Sequence, residues 1–238
     1  MPYQSFSLEE FAQYIGMDLR DVRKLAERGK LPGKKIGGHW RFNRARVTEW
    51  LQQEMPSLSE ERLIEIERAL GSRESGSKQF DLVTSMMTVE GIDLMMRAGS
   101  AGSVMRGLVD LAEQTGLLYD KTGLLDAVTE REAMCSTAMP NGVALPHPRQ
   151  PMPYASGEPI ICLGRTPQGV PFGSPTGILT HLFFLICSHE YDQHLHVLAR
   201  LVRILDEETV TGLRETEEAE EALALLIRRE KIVAERYG

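Results

Sequence analysis

The segment at residues 131–147 reads REAMCSTAMPNGVALPH, and its pattern changes from helix to turn to short strand. Its first residues end a helical repeat in which Leu124, Val128 and Arg131 share one face. Arg131 therefore continues the apolar side of the helix, and we expect its guanidinium to have an anionic partner. An ordinary ion pair at the helix end is the simpler alternative.

The second half of the segment predicts a turn followed by a strand. Asn141 and Gly142 are typical turn residues, and residues 143–145 read as a short buried strand. Pro146 fixes the backbone at the strand exit and so restricts the direction of the His147 ring. The pattern predicts an imidazole at a strand edge.

These residues carry a family resemblance. Arg-Glu-x-x-x-Ser-Thr followed by Asn-Gly-Val-Ala-Leu-Pro-His resembles the phosphorylation-site signature of fructose/mannitol-type EIIA domains, including nitrogen-regulatory PtsN-like proteins, of the bacterial phosphotransferase system (PTS). The resemblance extends from about residue 80 to residue 232 and includes His-Leu-x-x-Leu-Ala-x-Leu at residues 194–201. Pro140 stands where the family usually has glycine. This difference puts in question the shape of the loop and whether the signature histidine can be phosphorylated.

The resemblance implies a phosphohistidine site. His147 would be the nucleophile and phosphate carrier, Arg131 the phosphate clamp, and His194 a second imidazole near the phosphate. Helical spacing puts His194 on a face with two leucines, whereas His196 is predicted to point to water. A structural role for each of these residues remains the alternative. No ligand pair has metal-site spacing, so we expect no metal and no cofactor other than the phosphoryl group on His147.

Composition indicates a globular protein without membrane insertion. The chain has 238 residues, of which 42% are hydrophobic and 26% charged. Its longest relevant apolar run, at residues 179–187, is too short to span a bilayer, and no signal peptide opens the sequence. Three scattered cysteines indicate reduced thiols. We expect a cytoplasmic protein.

Charge is distributed unevenly. The formal net charge is -7, yet residues 1–56 hold ten Lys/Arg against seven Asp/Glu. Within residues 20–46 the count is ten basic to two acidic. A basic island on an acidic protein is the pattern of a small nucleic-acid-binding module.

The basic island falls in a predicted winged helix-turn-helix. Capping residues predict helices at about 7–15 and 18–28 and a third from Asn43, and a two-stranded wing turns on Gly37 and Gly38. The sequence Arg-Gly-Lys-Leu-Pro followed by Lys-Ile-Gly-Gly-His-Trp-Arg-Phe resembles the excisionase-type domain, a small relative of the MerR-type DNA-binding domain. The predicted DNA contacts lie on the second helix and the wing: Arg20, Arg23, Lys24, Lys34, Lys35 and Arg41. A solvated basic face is the alternative.

We therefore predict three segments: a winged helix-turn-helix at 1–55, a helical and flexible linker at 56–79, and an EIIA type-2-like domain at 80–238. The fold class is a small α+β domain followed by an α/β domain with helices on both faces of a sheet, which the family resemblance implies to be mixed. Leu63, Ile66 and Leu70 form a narrow apolar stripe, suited to a short homodimer contact or to packing on the same chain.

Three functions remain open from the sequence. The first is a DNA-binding regulator phosphorylated on histidine through an HPr-like phosphocarrier. The second is an EIIA phosphocarrier, and hence an enzyme component, that passes phosphate from HPr to a IIB sugar-transport partner. The third is an inactive EIIA-like interaction platform. Double-stranded DNA is the partner expected for the basic module.

Overall fold

The computed structural model describes residues 5–71 and 82–235. The chain divides into two compact units, the first containing residues 5–71 and the second most of 82–235. Residues 72–79 of the predicted linker lie outside the described ranges, and the three predicted domain boundaries stay predictions.

The N-terminal unit combines a three-stranded antiparallel sheet with four helices. Its elements, in chain order, are β1 (Ser5–Phe6), α1 (Leu8–Tyr14), α2 (Leu19–Glu27), β2 (Gly33–Ile36), β3 (His39–Asn43), α3 (Arg44–Glu54) and α4 (Glu60–Gly71). The strand order is β1-β3-β2. A short 3-10 helix, Met55–Ser57, separates α3 from α4.

The predicted caps form where the sequence places them. The Ser7 hydroxyl accepts from the Glu10 amide and the Glu10 carboxylate accepts from the Ser7 amide, which begins α1. Asp18 caps α2, and Asn43 caps α3. These local hydrogen bonds explain why the helix starts could be predicted closely.

The wing turns on two consecutive glycines. Gly37 and Gly38 have φ of 57° and 83°, the conformation that a tight hairpin turn requires at both central positions. Phe42 of β3 is fully buried and stacks on Phe11 of α1 at a centroid distance of 4.3 Å. The wing is thereby attached to the helical core.

Helix α4 begins two residues later than a cap at Ser57 would predict. The Ser57 hydroxyl donates to the Glu54 carbonyl instead, and the Arg62 amide donates to Ser59 Oγ. The Arg62 guanidinium also donates to the carbonyls of Ile15, at 2.6 Å, and Gly16, at 3.1 Å. These bonds satisfy carbonyls at the end of α1, so α4 is part of the N-terminal unit.

The predicted apolar stripe of α4 is buried in this chain. Leu63, Ile66 and Leu70 are each at most 2% exposed. Their burial favours packing on the same chain over a homodimer contact through this stripe.

The second unit is built on a four-stranded sheet. Its elements are β4 (Ile92–Asp93), α5 (Ala101–Gln114), α6 (Lys121–Met134), β5 (Val143–Ala144), β6 (Ile160–Val170), β7 (Thr180–Cys187), α7 (Tyr191–Ile204), α8 (Glu207–Glu215) and α9 (Ala219–Glu235). The strand order is β4-β6-β7-β5.

The sheet is mixed, as expected. Strands β6 and β7 are antiparallel, whereas β4 runs parallel to β6 and β5 parallel to β7. Nearly every residue of β7 is buried, so both faces of this strand are covered. The fold class, a small helix-turn-helix region followed by an α/β domain, is confirmed.

Within the described residues, no helix is long and apolar enough to cross a membrane.

Candidate functional site

Arg131 lies on the buried side of α6, as its spacing predicts. Leu124 and Val128 are at most 1% exposed, and Arg131 is 4% exposed. One guanidinium nitrogen, Nη1, donates to the Cys135 carbonyl at 2.6 Å. The end of α6 thus holds a buried cation against the loop that follows it.

The loop after α6 is fixed by the carboxylate of Glu132. Glu132 accepts from the Ser136 hydroxyl at 2.9 Å and from the amide and hydroxyl of Thr137 at 2.9 and 2.7 Å. The Ser136 hydroxyl shares its single proton between Glu132 and the Phe172 carbonyl. Glu132, Ser136 and Thr137 belong to the signature, but nothing in their spacing predicts this bonding role.

The turn before the histidine accommodates Pro140. The Met139 amide donates to the Val143 carbonyl at 2.7 Å, and Ala138 pairs with Ala144 in antiparallel fashion. Pro140 itself is exposed in the turn between these pairs. Gly142 has a φ of 80°, a conformation that glycine adopts without strain. The paired backbone therefore continues on both sides of the proline.

His147 follows the edge strand β5 and is 2% exposed. Its Nδ1 lies 2.6 Å from the Leu145 carbonyl oxygen, so Nδ1 carries the proton and donates to that oxygen. The other ring nitrogen, Nε2, is buried and has no hydrogen-bond partner among the described residues. The backbone therefore selects a tautomer whose lone pair is on Nε2.

His194 lies in the first turn of α7, with its ring centroid 4.9 Å from that of His147. It is 2% exposed, its Nδ1 is 3.4 Å from the Ser188 hydroxyl, and its Nε2 has no partner among the described residues. The structure thus brings together two imidazoles that are remote in sequence.

The prediction that His196 points to water is wrong. His196 is only 4% exposed, because α7 is buried around most of its circumference. A polar residue on a buried helix face gives no periodic signal of its burial.

Burial keeps both imidazoles neutral. Burial lowers the pKa of His147 well below its usual range. Electrostatic repulsion by the neighbouring His194 ring and by the Arg131 cation lowers this pKa further, against the opposing effect of the Leu145 carbonyl. Burial, followed by the Arg131 charge, lowers the pKa of His194 to about 3. Arg131 is therefore close enough to act electrostatically on both rings.

These pKa shifts predict a pH-dependent stability. An unfolded histidine binds a proton below about pH 6.5, whereas folded His194 stays neutral until about pH 3. Stability is undiminished above pH 6.5 and is lost as the pH falls toward 3. Between pH 7.5 and 5 the wild type should lose about 2 kcal/mol more unfolding free energy than His194→Gln.

Urea unfolding followed by circular dichroism measures this difference. Both tryptophans, Trp40 and Trp50, lie in the N-terminal unit, so their fluorescence reports that unit separately. His39→Gln, at an exposed wing position, is the matched control. An identical pH dependence in wild type and His194→Gln would contradict the prediction.

The predicted DNA-contact residues all lie on the surface of the N-terminal unit. Arg20, Arg23, Lys24, Lys34, Lys35 and Arg41 are exposed. Lys24 makes a solvent-exposed ion pair with Asp21 at 3.3 Å. Such a pair contributes little and leaves the basic surface accessible.

The wing places two cations directly opposite each other. Lys34 pairs with Arg41 across the β2–β3 ladder. Like charges facing each other destabilise a sheet unless an anion lies between or near them. Arg41 also lines a 560 Å³ cleft together with Lys34 and Arg46. Arg46, which is not among the predicted DNA contacts, adds a third cation to this face.

A second cleft, of 480 Å³, lies between α2 and the wing. Arg23, Lys35 and Arg41 line it together with two carboxylates, Glu9 and Glu27. The surface between helix and wing thus carries both positive and negative side chains, and the carboxylates would repel a phosphate placed close to them.

Cys162 and Cys187 are buried free thiols, and Cys135 is an exposed free thiol. Burial raises the pKa of Cys162 to about 12, so this thiol stays protonated. In the described part of the chain no group of three or more His, Cys, Asp or Glu is placed to hold a metal ion.

The model of the phosphoenolpyruvate-dependent sugar phosphotransferase system, EIIA 2, family matches residues 85–229, which include Arg131, His147 and His194. The chain belongs to the EIIA 2 family. A helix-turn-helix domain model matches residues 5–55 of the same chain. An EIIA domain is thus preceded by a helix-turn-helix domain, as both sequence resemblances implied.

Curated relatives are similar to the EIIA domain. The fructose-specific EIIABC component of Bacillus subtilis is 29% identical over 147 residues, which are 61% of this chain and 23% of that protein. The fructose-specific EIIA component of Haloferax volcanii is 27% identical over 130 residues, 54% of this chain and 82% of that protein. The chain thus spans less than a quarter of the length of the Bacillus relative.

Solved structures agree with the fold of the EIIA domain. Nitrogen regulatory protein IIA-Ntr from Neisseria meningitidis aligns with a TM-score of 0.55 and 26% identity, covering 61% of this chain and 99% of that one. IIA mannitol from Escherichia coli aligns with a TM-score of 0.52 and 23% identity, covering 58% and 97%. The second likeness shows the fold alone.

Proposed function

We propose that this chain is a DNA-binding regulator whose EIIA domain carries a phosphoryl group on Nε2 of His147, received from an HPr-like phosphocarrier of the PTS. One observation carries the proposal. A buried imidazole donates Nδ1–H to the Leu145 carbonyl and leaves Nε2 without a partner among the described residues, next to a second buried imidazole.

The transfer needs no proton movement. The lone pair of His147 Nε2 attacks phosphorus as the N–P bond to the donor's imidazole breaks, and the donor ring leaves with the electron pair of that bond. The Nδ1 proton of His147 stays on the ring, bonded to Leu145 oxygen. Because burial keeps His147 neutral at pH 7, the nucleophile is present without prior deprotonation.

Arg131 and His194 stabilise the negative charge on the phosphoryl oxygens. Arg131 is a buried, permanent cation, and its attraction for an anion is stronger in a water-excluded site. If the Ser188 hydroxyl donates to His194 Nδ1, the Nε2–H of His194 is left to donate to a phosphoryl oxygen.

Phosphorylation would change DNA affinity through the negative charge that it adds to the EIIA domain. It adds about -1.5 to -2 charges. The opposed charge balance of the two parts of the chain supports the idea that such a change alters domain docking or a homodimer contact, and hence DNA affinity. A cytoplasmic location and the absence of a cofactor stay predictions.

Labelling by the purified PTS proteins tests the proposal. The full chain is incubated with phosphoenolpyruvate, enzyme I and HPr, and intact mass and acid lability are measured. We expect a gain of one acid-labile phosphoryl group. No gain on well-folded protein would contradict phosphorylation and favour the inactive interaction platform.

The regulatory part has a separate test. DNA affinity is compared for phosphorylated wild type, unphosphorylated wild type and His147→Ala. We expect the phosphorylated protein to differ from the other two. Identical affinities in all three states would contradict regulation by phosphorylation.

The DNA-binding surface has its own prediction. Lys34→Gln with Arg41→Gln should weaken binding to a random-sequence DNA duplex and lower the salt slope of binding by about 1 per lost phosphate contact. Fluorescence anisotropy across a salt series measures this slope. Arg228→Gln with Lys231→Gln, which removes two exposed charges from α9, is the charge-matched control. An unchanged slope in the double variant would contradict a phosphate contact by the wing.

A phosphocarrier role is the second candidate function. The matched Bacillus relative is an EIIABC component, and one solved structure of similar fold is a complex of mannitol IIA with phosphorylated IIB from Escherichia coli. Passage of the label from this chain to a IIB domain would favour that role. Retention of the label beside a change in DNA affinity would favour the regulator.

A further inference from the structure

We propose that Glu132 is a positioning residue for His147, acting through Thr137 and Leu145, a role that rests on the proposed phosphorylation of His147. Glu132 does not itself contact the proposed phosphate position. Its contribution is to hold the backbone that selects the reactive tautomer of the imidazole.

The carboxylate of Glu132 accepts three hydrogen bonds from two residues of one loop. Oε1 accepts from the Ser136 hydroxyl and the Thr137 amide, and Oε2 accepts from the Thr137 hydroxyl. The neighbouring residue, Arg131, donates to the carbonyl of Cys135. The last turn of α6 therefore fixes three consecutive residues of this loop.

The loop in turn holds the segment that ends at His147. The Leu145 amide donates to the Thr137 carbonyl at 3.3 Å, and Ala138 pairs with Ala144. The Leu145 carbonyl then accepts from His147 Nδ1 at 2.6 Å. A continuous series of hydrogen bonds thus joins Glu132, Thr137, Leu145 and the imidazole.

Because this series of hydrogen bonds reaches the imidazole, loss of Glu132 should affect the tautomer of His147. A shift of the loop would move the Leu145 carbonyl, and loss of that acceptor would let the proton move to Nε2, which removes the lone pair needed for attack. A misplacement of about 1 Å in such a site lowers rates by up to about 100-fold. A purely structural role would lower stability without changing the tautomer.

Two substitutions separate geometry from charge. Glu132→Gln can keep all three hydrogen bonds, because its amide oxygen accepts two of them and its amide nitrogen donates to a rotated Thr137 hydroxyl. Glu132→Ala removes all three. Thr137→Val removes one bond with little change of shape and serves if Glu132→Ala does not fold. Glu130→Ala, at an exposed position of the same helix, is the matched control.

Two readouts test the role. Phosphoryl transfer from phosphorylated HPr gives kcat and KM, and nitrogen-15 NMR of the imidazoles of unphosphorylated protein reports the tautomer of His147. For Glu132→Ala we expect kcat to fall about 10-fold to 100-fold with little change in KM, and the Nδ1–H tautomer to lose its dominance. Thr137→Val should show a smaller fall, and Glu132→Gln and Glu130→Ala should stay near wild type.

Three outcomes would overturn the proposal. Transfer by folded Glu132→Ala, or by Thr137→Val if the alanine variant does not fold, at the wild-type rate shows that positioning is not needed. A Glu132→Gln variant as slow as Glu132→Ala shows a role of charge instead. An unchanged tautomer in the slow variants shows that the effect does not pass through Leu145. If the wild type accepts no phosphate, the proposed function fails, while the NMR measurement still decides the positioning of the ring.

Discussion

His147→Ala is expected to abolish the acid-labile phosphoryl group completely. No other ring nitrogen combines burial, a backbone acceptor for one nitrogen and a second imidazole at 4.9 Å in the described part of the chain. Mass analysis after incubation with phosphoenolpyruvate, enzyme I and HPr measures the loss.

Two further variants make this result specific. His147→Gln keeps similar volume and a donor toward the Leu145 carbonyl, so it should fold like wild type and remain unlabelled. His181→Gln retains a donor toward the Thr166 carbonyl, which lies 3.2 Å from His181 Nδ1, and should be labelled normally. Full labelling of His147→Gln would show that another residue is the carrier.

Arg131→Met is expected to lower the rate of phosphoryl transfer to His147 by about 100-fold to 1000-fold, the usual effect of removing one preorganised charge-stabilising group. The three phosphoryl oxygens would then meet a buried site without its permanent cation. Methionine retains much of the packing of the arginine stem, so the effect comes from loss of the charge and of the bond to the Cys135 carbonyl. Rapid-quench measurement with phosphorylated HPr gives this rate.

The same substitution has a second, independent consequence. Because the Arg131 charge lowers the pKa of His147 and of His194, its removal should raise both pKa values, as proton NMR titration would show. Arg106→Gln, at an exposed position on α5, should change neither the rate nor these titrations. Normal transfer by folded Arg131→Met would contradict the role of Arg131 as phosphate clamp.

The N-terminal unit shows which structural features can be predicted from local sequence patterns. Caps at Ser7, Asp18 and Asn43 and the glycine pair in the wing were predictable, because each is decided by hydrogen bonds or backbone angles within a few residues. A cap at Ser57, which the Ser-x-x-Glu spacing of residues 57–60 predicts, does not form, because a 3-10 turn there directs the Ser57 hydroxyl to the Glu54 carbonyl. Competing local bonds of similar strength cannot be ranked from sequence.

The candidate site likewise has residues that the sequence predicted and partners that it did not. Its three proposed residues were found from a signature and from helical spacing, and Arg131 lies on the buried face as predicted. The partners of those residues were not found. Glu132, Leu145 and Ser188 act through a carboxylate, a carbonyl and a hydroxyl. Whether such a group bonds to a site residue depends on the direction in which the folded chain places it.

The sequence by itself determined the helix starts at Ser7, Asp18 and Asn43, the basic island at residues 20–46 and the identity of the signature residues, because these depend on local hydrogen bonds, spacing and composition along the chain. Only the tertiary structure decided that Nδ1 of His147 faces a carbonyl, that His194 lies beside it and that His196 is buried. The physical reason is that burial and hydrogen-bond direction are set by elements that pack together from distant parts of the sequence.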